Sequence, residues 1–307
     1  MLVRLSCLVV CFWCATLASG RDIFVDNRTG DDRANGRNAR SITIDDGPVR
    51  SIAKALRLAE RGDRVVLAAS PVPYRESVSL TSSKHSGWPD YPFVVEGNGA
   101  VLDGSELIPH QQWQNFDGDT FSYQPRGLGY QQLFVAGRAA LRRPTSPADY
   151  TVPALAAGQW SFSGGRIFFA VEPGRVPADY ELACCALPSG ITLYHVHHLV
   201  IRNLVVQGFQ FDGIAANDVV REARLERVTS RANGRSGVSV AGASLVELAG
   251  CRLEGNGQSQ LRSENYAQTY LRESKLTGDT APAIVAVGGR VTDLPPLTTG
   301  PPTESRP

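Results

Sequence analysis

Glu226 and Glu247 are the two carboxylates whose spacing could do acid–base chemistry. Glycoside hydrolysis needs a pair of carboxyl groups, about 5–5.5 Å apart for retention and about 6.5–9.5 Å for inversion. The two glutamates fall in a repeat described below that places them one turn of chain and two residues apart. Stacked strands about 4.8 Å apart and a rise of about 3.3 Å per residue put them roughly 8 Å from each other. That separation suits inversion. The commoner use of such residues is a solvated cross-strand ion pair, Glu226 with Arg202 and Glu247 with Arg224. A second chemistry needs cations: a lyase uses a base and must neutralise a sugar carboxylate. Arg252 and Lys275 stack in one outward column with Arg231 close by, and two stacked cations repel unless an anion joins them. Those three residues are the candidate substrate-binding strip, with an ordinary wet surface as the alternative.

Metal and cofactor chemistry have little support. The run Tyr194-His195-Val196-His197-His198 puts His195 and His197 on one strand face, but spacing supplies no third ligand, and C-x-x-C is absent. Asp212 is the one acid of the turn Gln210 to Gly213, too few for calcium. No metal and no cofactor are expected.

The elements that must position these residues come from self-similarity. Ile201 to Ile214, Leu225 to Val238, Leu248 to Leu261 and Leu271 to Ile284 align without gaps at offsets of 24, 23 and 23 residues. The apolar columns are Ile201/Leu225/Leu248/Leu271, Leu204/Val228/Cys251/Ser274, Val206/Ser230/Leu253/Leu276 and Ile214/Val238/Leu261/Ile284. Such a period signals a solenoid, and short alternation broken by Gly and Asn makes it a β-solenoid. A leucine-rich repeat would need L-x-x-L-x-L in every segment, which is not reproduced. Asn233 and Asn256 share a column, with Asp279 next, and are expected to bond turn backbone from inside the coil.

Upstream, Ile23 to Asp26 reads as a strand, followed by Thr29-Gly30-Asp31. Pro48 to Arg61 reads as an amphipathic helix with Ile52, Ala55, Leu56 and Ala59 on one face and Pro48 at its start. Arg64 to Leu67 reads as the next strand, ahead of Tyr74-Arg75-Glu76-Ser77-Val78. Glu106 to Leu187 breaks the period with Trp113, Tyr123, Trp160, Phe162, Phe168 and Phe169 and reads as an inserted β-rich module.

The repeat, with its I-x-N-x-x-I…GN…G-I pattern, and the N-terminal strand, G-x-D and capping helix together resemble the right-handed parallel β-helix proteins of the pectate-lyase-like superfamily. Gln132 to Pro144, Gly158-Gln159-Trp160 and Arg166 to Phe169 are similar to the module of some bacterial secreted β-helix glycosidases. The expected fold is therefore all-β: a right-handed parallel β-helix with an N-terminal capping helix and an inserted β-rich module. The expected organisation is signal peptide 1–20, cap and first coils 21–105, module 106–190, coils 191–289 and a disordered Pro-rich tail 290–307. No capping helix follows the coil Leu271 to Ile284, so that end is expected to lie open unless the tail covers it.

The resemblance implies a polysaccharide or oligosaccharide partner and a glycoside hydrolase-like or polysaccharide lyase-like protein, with a shortened or binding-only relative among the readings. The superfamily also holds inert proteins, so a non-catalytic cell-surface or structural β-helix is the alternative. Met1 to Arg4 is a basic start, Leu5 to Ala18 an apolar run too short to span, and Ala18-Ser19-Gly20 a small-residue cleavage site. Export to the periplasm, cell surface or medium is expected, with no membrane contact after cleavage. Removing those residues discards Arg4 and no acid, leaving a neutral chain of 30 acidic residues and as many basic ones. Neutrality argues against nucleic acid as a partner. Cys184, Cys185 and Cys251 remain and read as packing residues.

Overall fold

The computed structural model describes residues 20–127, 129–145 and 151–296. The expected signal segment, apart from Gly20, and residues 297–307 of the expected tail lie outside the described residues. Three parallel sheets share the solenoid. The first runs through Asp22–Val25, Arg64–Leu67, Phe93–Glu96, His197–Arg202, Arg221–Glu226, Leu245–Ala249, Gln268–Arg272 and Arg290–Leu294. The second runs through Val101–Asp103, Val205–Gln207, Thr229–Arg231, Arg252–Glu254 and Lys275–Thr277. The third runs through Val78–Thr81, Ile191–Tyr194, Asp212–Asn217, Ser236–Val240, Ser259–Glu264 and Ile284–Val287. The chain visits the sheets in the order first, second, third, then steps to the next coil. Successive strands of a sheet are thus parallel crossovers, which strand twist makes right-handed, and the fold is a right-handed parallel β-helix.

Three of the four sequence columns are observed strand registers, and the fourth, Leu204/Val228/Cys251/Ser274, lies in the turns between the first and second sheets. Ile201, Leu225, Leu248 and Leu271 are successive partners in the first sheet, and Ile214, Val238, Leu261 and Ile284 in the third. Most of these side chains are buried, and they join one continuous core. A fully buried Leu or Ile is worth about 1.5–3 kcal/mol over its exposed state, so each coil is held chiefly by this stack. The turns have columns of their own. His195, Asp218, Gly242, Asn265 and Gly288 follow the third sheet, and each has φ between 54° and 86°. Gly, Asn and Asp recur there because they enter the left-handed region most readily.

Inside the coil, Asn256 Oδ1 accepts from the backbone N–H and from Nδ2 of Asn233 (both 3.0 Å), and its own Nδ2 donates to Gln260 Oε1 (2.8 Å) and Ser230 O (3.2 Å). Asp279 Oδ1 continues the ladder by accepting from Gly255 N (3.3 Å).

The N-terminal helix is shorter than the periodicity predicts. It spans Ile52–Leu58, with Ser51 as the N-cap accepting from Lys54 N. Val49 instead bridges Val25 and is fully buried, which draws Pro48 to Arg50 into the sheet region. Both oxygens of Glu76 accept the free N–H groups of Ile52 and Ala53 (2.8 and 2.9 Å). Burial at this position pushes the Glu76 carboxyl above its ordinary value. Ile52, Ala55, Leu56 and Ala59 cover the core, the four expected.

The other end also differs from expectation. Arg290–Leu294 is a strand paired with Gln268–Arg272, so the tail does not begin at 290. Alternation in Arg290 to Leu294 lets it add to an existing edge, a pairing that the prolines after Leu294 end.

The module interrupts the second coil between Val101–Asp103 and Ile191–Tyr194. Ser105–Leu107 and Leu182–Cys185 pair antiparallel at its base. Gln159–Ser163, Arg166–Ala170 and Thr120–Tyr123 form its main antiparallel sheet. Trp160, Ile167, Phe169 and Leu133 are fully buried in a core of its own. All three cysteines among the described residues are buried free thiols.

Candidate functional site

The register sets Glu226 and Glu247 diagonal to each other on the outer face of the first sheet, through the pairs Arg224↔Glu247 and Glu226↔Ala249. Arg224 lies between them, with one terminal nitrogen 3.5 Å from Glu226 Oε1 and the other 3.6 Å from Glu247 Oε1. Arg227 is 3.9 Å from Glu226, and Arg272 Nε donates to Glu247 at 2.8 Å. Each carboxylate therefore meets two guanidinium groups. Arg202 does not pair with Glu226 as the spacing predicts: its Nε donates to Glu96 Oε2 (2.6 Å), and Asn203 Nδ2 donates to Glu96 Oε1 (2.8 Å). Glu96 precedes the module, outside the visible repeat, yet the sheet places it beside Arg202. The column Glu96, Arg202, Glu226 thus alternates in charge.

The cationic strip lies on the second sheet. Arg252 and Lys275 are register partners, and Arg231 is paired with Glu254 one coil on. Two nitrogens of Arg252 meet Glu254 Oε2 at 2.7 and 2.6 Å, and Arg231 Nε donates to Gln207 Oε1 at 2.9 Å. Of the stacked cations Arg252 is answered by Glu254 from within the protein, and Lys275 stands exposed at the edge. The histidine run is divided among carboxylates: His195 Nε2 is 2.8 Å from Asp218, and His198 Nδ1 meets Glu222. Among the described residues no group of three or more His, Cys, Asp or Glu is placed to hold a metal ion.

A different site forms where the module folds back on the turns between the second and third sheets. Gln132 Nε2 donates to the carbonyls of Asn233 (3.4 Å) and Gly255 (3.3 Å), and Gln210 Nε2 reaches back to the carbonyls of Arg126 (3.4 Å) and Cys185 (3.5 Å). Tyr130 sets its ring edge-on to Phe211, centroids 6.1 Å apart. Gly234 permits the approach, since a Cβ there would lie 2.6 Å from the carbonyl oxygen of Tyr130. Beside this seam lies a cavity of about 660 Å³, with Leu141 and Arg142 of the module among its walls on one side and Gln258, Asp279 and Thr280 of the coil turns on the other. Its volume falls in the range of about 300–1,000 Å³ usual for ligand clefts, which favour junctions between folded units.

The floor of the cleft is held by the inner ladder. Thr280 Oγ1 donates to Asn256 O (2.8 Å), and Asp279 Oδ1 accepts from Thr280 N (2.9 Å). Carboxamide, hydroxyl, carboxylate and guanidinium groups thus face one hollow, a mixed donor and acceptor set suited to sugar hydroxyls. Asp279 is the single carboxylate among the described lining residues. Sequence reasoning marks Asp279 only as a ladder residue and does not select Arg142 or Gln258. The one available signal was the break in period that announced the module.

No family model matches the sequence, and no curated protein matches it. Among solved structures of similar fold is a glycoside hydrolase with a TM-score of 0.54 and 11% identity, covering 83% of this chain and 74% of that one. Pectate lyase Pel9A superposes with a TM-score of 0.43 and 14% identity over 84% of this chain and 54% of its own. The GH136 lacto-N-biosidase from Eubacterium ramulus does so with 0.42 and 14% over 88% and 41%. At 11% identity, what the chain shares with the first of these is its fold.

Proposed function

We propose that this protein is an exported carbohydrate-binding β-helix whose glycan site is the cleft between the module and the turns of the solenoid. The observation that carries the reading is the cavity of about 660 Å³ at that junction, walled by Arg142, Gln258, Asp279 and Thr280. Its shape and mixed polarity suit a few sugar units. The shared fold with a glycoside hydrolase is in keeping with a saccharide ligand. Binding rather than cleavage is the reading we favour for this cleft, because hydrolysis needs two carboxyl groups and the described lining holds one.

Glycan-array binding of the mature chain tests the proposal, followed by titration of any hit against Gln258→Ala and Asp279→Asn. Each variant should weaken binding about tenfold, the loss of about one hydrogen bond. An array with no hit, or hits that both variants bind at wild-type strength, would refute the cleft as a glycan site. The same preparation on a polysaccharide panel, with reducing ends and unsaturated products read separately, distinguishes a hydrolase and a lyase from a protein that only binds or is structural.

A further inference from the structure

Arg142 lacks the polar partners of the other sheltered arginines, among which Arg166 bonds Gln114, Gln124 and Ser122. Arg202, Arg235, Arg262 and Arg272 have side chains 33%, 30%, 26% and 14% exposed, and each meets a carboxylate directly: Glu96, Asp212, Glu264 and Glu247. Arg142 sits on the module strand Leu141–Arg142, and its guanidinium lies 5.2 Å from the centroid of the fully buried Trp160 ring. Its Nε is buried with no hydrogen-bond partner, and among the described residues no carboxylate lies within 4.0 Å of it. Burial pulls its ionisation below the ordinary arginine value. The group still stays charged, since arginine does not deprotonate in proteins. A buried charge is ordinarily paired, and a ring face offsets only part of that penalty. Arg142 also lines the junction cleft. The one described acid there, Asp279, already accepts from Gly255 N and Thr280 N.

We infer that Arg142 is an oxyanion receptor on the module and that the cleft selects a glycan carrying an acidic group, a carboxylate or a sulfate ester. The planar guanidinium fork matches either group with two parallel hydrogen bonds. The buried Trp160 ring gives the guanidinium a face to rest on, 5.2 Å from its centroid. The partner charge that is missing among the described residues would then come from the ligand. This inference rests on the glycan-binding reading and adds to it the chemical class of the sugar.

The test uses the mature full chain titrated with galacturonic acid, galactose 6-sulfate, galactose and inorganic sulfate, at low and high salt. One or both acidic sugars should bind at least tenfold more tightly than galactose, and their affinity should fall as salt rises. Arg142→Gln should lose that preference, bringing the acidic sugars to within about threefold of galactose. Arg142→Lys keeps the charge and loses the fork, so it should lie between the two. If Arg142→Gln does not fold, the salt response of the wild type and the Arg142→Lys value decide the matter. Equal affinity for galactose and both acids, an unaltered preference in the variants, or binding of inorganic sulfate alone overturns the inference. A glycan array positive only for neutral sugars overturns it while leaving the glycan-binding reading intact. An array without hits refutes that reading itself.

Discussion

Replacing Asn256 with Ala should destabilise the protein by about 4 kcal/mol. The side chain is fully buried and makes four hydrogen bonds, two accepted from Asn233 and two donated, to Gln260 and Ser230. Truncation leaves the N–H and Nδ2 of Asn233 and the oxygens of Gln260 and Ser230 without those partners in a dry interior. Each bond contributes a net of about 0.5–1.5 kcal/mol, and an orphaned buried group costs about 1–3 kcal/mol. Four such bonds give about 2–6 kcal/mol. The loss should also reach the cleft, because Asn256 O anchors Thr280 and the next residues of the turn are Gly257 and Gln258. Urea unfolding, followed by Trp fluorescence for the module and by circular dichroism for the solenoid, measures the stability change. Glycan titration at low denaturant measures the effect on the cleft. A loss below about 1 kcal/mol would refute the claim that the four bonds of Asn256 contribute to the stability of the coil, whatever happens to binding.

If the protein cleaves a glycan through the first-sheet pair, Glu226→Gln or Glu247→Gln should abolish turnover. Stability should change by about 1 kcal/mol or less, since the ion pairs are partly exposed; turnover equal to wild type in both variants removes the pair from the mechanism. The thiols should be inert in the folded protein, because burial pushes Cys184 up to about 12 and Cys251 up to about 11 from an ordinary value of 9.0. A thiol whose folded value lies above its unfolded one contributes stability fully below the unfolded value and loses it as pH rises toward the folded one. Stability should therefore fall from about pH 9 upward. An aromatic disulfide reagent at pH 8 should label no thiol until denaturant is added; rapid labelling of the native protein would contradict the burial.

The β-helix was legible in the sequence because a solenoid is nearly one-dimensional. Each coil touches its neighbours in the chain, so the columns through Leu225 and Val238 record spatial contacts directly at a period of 23 or 24 residues. The capping face of Ile52, Ala55, Leu56 and Ala59 was legible for a similar local reason. The helix start was not, because burial of Val49 against Val25 overrode the preference of Pro48 for a first helical turn. The last strand was missed because Arg290 to Leu294 has no repeat partner beyond it and draws its pairing wholly from the edge it joins. The diagonal placement of Glu226 and Glu247 followed from the register, but their ion partners did not. Glu96 captures Arg202 across a module that hides the adjacency from any reading of period. The cleft was the least visible feature of all. Arg142 shares a cavity with Gln258 and Asp279 only because a module with its own core turns back on the solenoid, where Gln132, Gln210 and the clearance at Gly234 hold the seam. Sequence by itself determined the contacts that repeat; tertiary structure alone decided those between the repeat and its interruption, because packing between a repeat and a module with a separate core leaves no periodic trace.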